Sequence, residues 1–562
     1  MSVIDWIVLY GFIGFVVIYG TWKSRNAKDV DTYILAGRTS KWWIVALSIM
    51  ATQASAITFL STPGQAYVDG MRFVQFYFGL PIAMIILSIT AVPIYNKLNV
   101  YTAYEYLEKR FDLKNRMFGS ALFLTQRGLA AGFTIYAPAL ILSVILGWEL
   151  DITIIAVGAM VILYTTVGGT VAVNKTHFLQ MIIITAGMFS VFFILMSLLP
   201  EEVSFYDAAY IAGKLGKLNA VDFSFDLSNR YTFWSGIIGG TFLMLSYFGT
   251  DQSQVQRYLA GSSVKQSRLA LLTNGLIKVP MQFIILFIGA MVFVFYQFVT
   301  PPLFFNPVEE EKVKTGIYAV EYKNIEHDYT KIQEDKKNIL KELVTSINRN
   351  DDATESKIGY IIDQQKKADE LKKSVAELIK KSDPSADSND TNYIFLSFII
   401  NYLPIGFIGL LIAAILSASM SSTSAELNAL ASTTVIDFYK RLIKKDGDDN
   451  RYLLVSKIAT VLWGLYAILF ALMAKELGSL IEAVNILGSL VYGTILGIFL
   501  TAFYLKKISG TPTFVGAIVA ELIVLYSYFF TDIPFLWYNI IGCITVILIA
   551  TLINTLSRKV AV

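Results

Sequence analysis

The chain has 562 residues, of which 55% are hydrophobic and 14% aromatic, and its mean hydropathy is +0.57. Those values exclude an ordinary soluble domain, because apolar runs of about 20 residues recur along most of the length. A net charge of +3 decides nothing by itself, and one cysteine (Cys543) with two histidines (His177, His327) excludes a disulfide framework or a Cys/His metal cluster.

Val3–Trp22 reads as a first span, with Asp5 near its start and Lys23, Arg25 and Lys28 after it. It lacks the basic start and small-residue cleavage site of a signal peptide. Hydropathy places further spans near 41–66, 72–95, 114–147, 150–168, 175–199, 232–250, 268–299, 396–438, 452–475, 479–505, 511–529 and 533–556, about 13 in all. The expected fold is therefore an all-α polytopic membrane protein. With the N-terminus outside, the basic clusters at Lys23–Lys41, Lys97–Arg116, Arg257–Arg268, Lys440–Lys445 and Arg558–Lys559 all fall on the cytoplasmic side. The chain is accordingly expected in a plasma (cell inner) membrane, with its C-terminus in the cytoplasm.

Two spans look interrupted. Between Trp42 and Tyr67 the centre reads Thr52, Gln53, Ala54, Ser55, which lipid disfavours unless the segment lines a cavity. Between Phe233 and Gln252, Gly236, Gly239, Gly240 and Gly249 weaken the helix. Broken helices in corresponding places of two halves point to an inverted-repeat secondary transporter with its site near the midplane; the plainer alternative is flexible or closely packed helices. The first reading divides the chain into an extra helix and link (1–40), a first repeat (41–199), an extracellular loop (200–232), the start of a second repeat (233–299), a charged insertion (300–395), the rest of that repeat (396–505) and extra C-terminal helices (506–562).

The stretch Pro404–Lys440 begins apolar and then places Ser417, Ser419, Ser421, Ser422, Thr423 and Ser424 within about two helical turns. Neutral hydroxyl oxygens on a rigid rod suit a hard, partly dehydrated cation such as Na⁺. They also let helices pack closely, and the residues alone leave both readings open.

TQASAITFLSTPGQAYVDG (Thr52–Gly70), NVYTAYEYLEKRF (Asn99–Phe111), IYAPALILSVILGW (Ile135–Trp148), DQSQVQRYLAG (Asp251–Gly261), the Ser421–Lys440 run and NILGSLVYGTILGIFL (Asn485–Leu500) together resemble the sodium:solute symporter family. The likeness is nearest to its branch of monocarboxylate, multivitamin and iodide carriers, with sugar carriers more distant. It implies an inverted 5+5 helix repeat and one coupled Na⁺, held by the backbone carbonyls of Ala51, Ala54 and Ala418 and the hydroxyls of Ser421 and Ser422. A second Na⁺ site found in some members is not expected, because His177 stands where they use an aspartate and Ala425 where they use a hydroxyl, although Ser424 is retained.

For the solute, the resemblance points to Gln53, Thr58, Met244, Tyr247 and Lys278. Tyr247 matches an aromatic that stacks beneath the substrate in sugar carriers, and Lys278 a lysine that hydrogen-bonds it there. Thr58 and Met244 replace amide side chains of those relatives, which argues against a hexose, since unsatisfied hydroxyls in a dry site are costly. A lysine near mid-membrane, where insertion costs at least about 2.5–3.5 kcal/mol, is functional by default. Lys278 is then an anion anchor, a salt-bridge partner or a snorkelling cation. Arg127 raises the same question, and Glu426, four residues past Ser422, either tunes a cation path or faces a polar crevice.

Residues 300–395 depart from the family pattern. Ile332, Ile339, Leu343 and Ile347, then Ile361, Leu371, Val375 and Leu378, recur at helical spacing around the polar break Asn348–Ser356, which predicts an antiparallel helical hairpin outside the cytoplasm. It binds a partner, shields the outer entrance or is a passive insertion. No phosphate loop, nucleophile elbow or zinc motif occurs, so neither an enzyme nor an ATP-driven pump is expected, and nothing suggests a nucleic-acid partner.

The reading is a monomeric Na⁺-coupled symporter importing a small organic solute or anion by alternating access. The alternatives are a Na⁺/sugar or sialic acid symporter and, from another class, a solute sensor built on a transport fold.

Overall fold

The computed structural model describes residues 1–24, 38–349, 354–384, 386–445, 448–474 and 479–560. It is helical throughout: among the described residues no β-sheet forms, and nine helical stretches are long and apolar enough to cross a membrane. Four shorter apolar helices, Val3–Phe15, Trp42–Gln53, Leu150–Thr166 and Ser235–Gly249, accompany them.

Helix α1 (Val3–Ser24) opens the chain. The expected interruption follows as α2 (Trp42–Gln53) and α3 (Ala56–Asp69), separated at Ala54 and the extended Ser55. The freed backbone is satisfied locally: Thr58 Oγ1 donates to the Gln53 carbonyl at 2.9 Å and Ala54 N to the Met50 carbonyl at 2.9 Å. That is the condition under which non-helical backbone survives at membrane depth. A 3₁₀ stretch, Gly70–Tyr77, turns the chain, with Gly70 at φ +73° where a side chain would be strained.

Next come α4 (Leu80–Ile89), α5 (Ala91–Leu98), α6 (Tyr104–Arg110), α7 (Leu113–Leu146) and α8 (Leu150–Ser197). α8 carries two apolar stretches, Leu150–Thr166 and Gln180–Ser197. Arg25 and Lys28 of the basic clusters and the hairpin turn at 350–353 lie outside the described residues, and the side chains of Lys23, His177, Arg558 and Lys559 are likewise not described.

After α9 (Phe205–Lys214), the glycine-rich span is not unwound as expected. It forms a π-helical turn at Ser235–Gly239 that runs into α10 (Gly240–Gly249), so the glycines widen the helix instead of ending it. Close approach explains them better than flexibility: a Cβ on Gly236 would lie 2.1 Å from the Gln75 carbonyl oxygen. The chain then breaks at Thr250–Asp251, where Asp251 Oδ1 accepts from Ser253 N and caps α11 (Gln252–Leu259). α12 (Val264–Phe298) follows.

The charged insertion contains α13 (Pro307–Thr315) and the predicted hairpin, α14 (Ala319–Arg349) and α15 (Thr354–Ser382). Tyr322, Tyr329, Val375 and Leu378 form its own apolar core, whereas Leu343 and Ile361, nearer the tip, join the core of the membrane domain.

The span expected over 396–438 is corrected to two helices. α16 (Thr391–Tyr402) has 12 residues, about 18 Å of helix, too short to cross a hydrocarbon core of about 30 Å. Pro404 follows its end, and Gly406 at φ +84° redirects the chain into α17 (Phe407–Thr433), which ends in a π-helical segment, Thr434–Ile443. Asp5 of α1 caps α17: its Oδ1 accepts from Gly406 N at 2.6 Å and Gly409 N at 3.1 Å. The first helix is thus tied to the serine-rich one. α18 (Asp449–Met473), α19 (Leu480–Tyr504), α20 (Gly510–Phe530) and α21 (Phe535–Val560) complete the fold, and α17 packs against α1, α7, α8 and α18 at its centre.

Candidate ion and solute site

The break in α2/α3 lies against the serine-rich face of α17. Ser422 Oγ is within hydrogen-bonding distance of two carbonyl oxygens, Ala51 at 3.2 Å and Ala418 at 3.0 Å. Three of the five residues expected to hold Na⁺ therefore meet at one hydroxyl. Ser421 is 1% exposed and its Oγ has no hydrogen-bond partner among the described residues. Ala54 lies at the break itself and is fully buried. Neutral carbonyl and hydroxyl oxygens, with Ser421 Oγ unengaged, fit a monovalent hard cation and offer nothing to a soft metal. Ser424 is engaged elsewhere, its Oγ 2.6 Å from Thr165 Oγ1, and Ala425 is buried without a polar group to offer.

Beside this junction is a cavity of about 90 Å³. Four of the five residues expected at the solute site line it: Gln53, Thr58, Met244 and Tyr247. Gln53 and Thr58 come from either side of the break, and Met244 and Tyr247 from α10, so two helices far apart in sequence form facing walls. The volume is well below the ~300–1,000 Å³ of typical small-molecule pockets.

Lys278 does not line the cavity. It is 1% exposed within α12, its Nζ has no hydrogen-bond partner among the described residues, and it lies 5.8 Å from the ring centre of Tyr77, which does line the cavity. Among the described residues no carboxylate pairs with its Nζ, and its tip is not exposed, so of the three roles the salt-bridge partner and the snorkelling cation drop out and the anion anchor stays open. One turn away, Asn274 Oδ1 accepts from Gln53 Nε2 at 3.3 Å, which links this face of α12 to the break.

The sequence underestimated the opposite wall. Arg127 of α7 is buried and bridges two carboxylates: its Nη1 donates to Glu426 Oε1 at 3.0 Å and its Nε to Asp251 Oδ2 at 3.1 Å, with a closer contact from Nη2 to Asp251. Tyr492 Oη donates to Asp251 Oδ2 at 2.9 Å, and Thr134 Oγ1 to Glu426 Oε2 at 2.9 Å. Arg127 also stands 5.5 Å from the ring centre of Tyr247. Glu426 thus belongs to this network. Two carboxylates share one guanidinium, and Arg127, Glu426, Tyr492 and Tyr247 all line the cavity.

Known proteins share this sequence pattern and fold. The model of the sodium:solute symporter family matches residues 33–315 and 382–520, leaving out the stretch that forms α14 and α15. The sodium/sialic acid symporter SiaT of Proteus mirabilis is 25% identical over 98% of this chain and 94% of its own length. The sodium-coupled monocarboxylate transporter 1 of Xenopus laevis is 27% identical over 91% of this chain and 68% of its own. The human sodium/iodide cotransporter is 34% identical over 45% of this chain and 38% of its own. A solved structure of a Na⁺-coupled sialic acid symporter in a substrate-bound outward-open state superposes with a TM-score of 0.74 at 23% identity, covering 99% of this chain and 98% of that one, which establishes the shared fold.

Proposed function

Since this chain belongs to the sodium:solute symporter family, and is a multi-pass membrane protein that couples solute transport to Na⁺, we propose that it imports a small organic anion together with one Na⁺ by alternating access. The observation that carries the ion site is the meeting of Ala51, Ala418 and Ser422 at one hydroxyl. Ser421 Oγ and the Ala54 carbonyl complete a set of five neutral oxygens. The set spans two elements, the broken helix and α17, so a cation bound there favours the arrangement in which they touch. By linkage, Na⁺ and solute in the adjoining cavity then strengthen each other's binding.

Anionic cargo is supported by the relatives: sialic acid, monocarboxylates and iodide are all anions. Lys278, 5.8 Å from the ring centre of the cavity-lining Tyr77, is the residue to which we assign the matching charge. The second reading, a sialic acid symporter, is favoured by the full-length likeness to SiaT, and the small cavity favours a short monocarboxylate over it. We further read the fold as an inverted 5+5 repeat of about 13 spans. The N-terminus lies outside, in the plasma (cell inner) membrane, and the protein works as a monomer.

Purified protein in liposomes with an inward Na⁺ gradient tests this against labelled short monocarboxylates, iodide, sialic acid and a hexose. The reading requires accumulation of an anion that collapses without the gradient. Accumulation of the hexose alone would overturn the anion assignment, and equilibration without accumulation would indicate a sensor or a channel.

A further inference from the structure

The hairpin outside the family match has two unlike borders. Towards α3 and α12 it is tightly held. Lys372 of α15 places its Nζ 4.8 Å from the ring centre of Phe305, 5.7 Å from Tyr67 and 5.9 Å from Tyr329, so one ammonium gathers aromatic rings from the post-α12 link, α3 and α14. Tyr67 in turn packs edge-on against Phe293 and Tyr296 of α12, at 5.4 and 6.0 Å. α14 packs on α12, as does α9, whose Lys214 pairs with Glu355 near the hairpin tip.

Towards α7 and α8 the border is loose and acidic. A cavity of about 220 Å³ separates the insertion's base from the outer end of α7 and the start of α8, and a larger one of about 360 Å³ lies between that base, the end of α7 and α16. The smaller is faced by Glu149 and Asp151 on the membrane side and by Glu309 and Asp383 on the insertion side. Lys312, the cation lining it, is taken up by Glu309 at 2.9 Å and Asp383 at 3.7 Å on its own side. Like charges across a void resist close packing, whereas a caged ammonium and interlocked rings resist separation.

We propose that the hairpin moves as one body with α3 and α12 and slides along its acidic seam against α7 and α8. It thereby acts as an external lever fixed to the outer half of the broken helix. This rests on the alternating-access reading, in which that half shifts relative to α7 and α8. Its position outside the family match makes it an addition that sets how far or how fast α3 moves.

The test uses three spin-label positions, Val68→Cys on α3, Lys373→Cys on α15 and Trp148→Cys between α7 and α8, all exposed. The sole native cysteine, Cys543, is buried. Distances are measured pairwise by pulsed electron resonance in lipid nanodiscs, in Na⁺ and in choline. The expected result is that 68–148 and 373–148 shift together on adding Na⁺ while 68–373 keeps its modal distance, and that Lys372→Met broadens only 68–373. A shift in 68–148 with 373–148 unchanged overturns the lever, because the hairpin would then belong to the static part. If no pair shifts, the alternating-access reading fails, and the lever with it.

Discussion

Ser422 and Ala51, 371 residues apart, meet through a 3.2 Å hydrogen bond from the serine hydroxyl to the alanine carbonyl. The bond joins the serine-rich α17 to the last turn before the break in α2/α3. Ser422→Ala removes the shared donor, which costs about 1–3 kcal/mol for a buried group left unsatisfied. Na⁺ affinity should fall about tenfold or more, and solute affinity with it, read as parallel shifts in the half-saturation constants of uptake. Loss of solute affinity alone would separate the two sites.

Arg127 is predicted to be structural before it is anything else. Arg127→Met leaves Asp251 and Glu426 buried without their cation, a loss of about 3–5 kcal/mol. The variant should show a sharply lower unfolding temperature in detergent. Asp251→Asn in the same background should be less damaging than the sum of the two single changes, the mark of a coupled pair.

Glycine contacts give a sharper packing test. A Cβ on Gly64 would sit 2.0 Å from the Thr391 carbonyl oxygen, where α3 crosses α16. Gly64→Ala should destabilise by about 1–3 kcal/mol through overpacking. Gly213 in α9 has nothing within 4 Å of its Cβ position. Gly213→Ala should therefore be neutral or gain up to about 1 kcal/mol from helix propensity, as thermal unfolding of the two variants will show.

Hairpin stability should respond to pH from both sides of neutrality. Burial pushes Asp387 up to about 7, so the folded form holds a proton that the unfolded chain has released, and stability falls as pH rises from about 4 to about 7. Burial pushes Lys336 down to about 7 and Lys217 down to about 8. There the unfolded chain holds the extra protons, so stability rises from about pH 7 towards 10. Hydrogen exchange of α14 and α15, corrected for intrinsic rates, should show least protection near neutral pH, and Asp387→Asn should remove the acidic limb only.

Much of this was legible in the sequence where the signal is local. Thr52–Ser55 announced a break because polar and small residues at mid-span have no reason to face lipid, and Thr58 then supplied the local hydroxyl the break needs. The hairpin followed from apolar spacing in an otherwise charged stretch. Pro404 and Gly406 also carried a signal, which hydropathy averaging over 396–438 concealed. The Arg127 network was not readable, because its partners Asp251 and Tyr492 lie 124 and 365 residues away, and nothing near Arg127 names them. The same holds for Asp5, whose caps are 401 and 404 residues distant. The mid-span position of Lys278 could be read from the sequence, but its place beside Tyr77 and outside the cavity wall depends on packing between helices.

Equilibrium binding of radioactive ²²Na⁺ to the purified wild type, Ser421→Ala and Ser422→Ala shows whether these two hydroxyls hold the coupled ion. Saturable binding of one ion per protein, weakened about tenfold or more in both variants while each remains folded without Na⁺, is the result predicted. Undiminished Na⁺ binding in the two variants would place the coupled ion elsewhere and contradict the site.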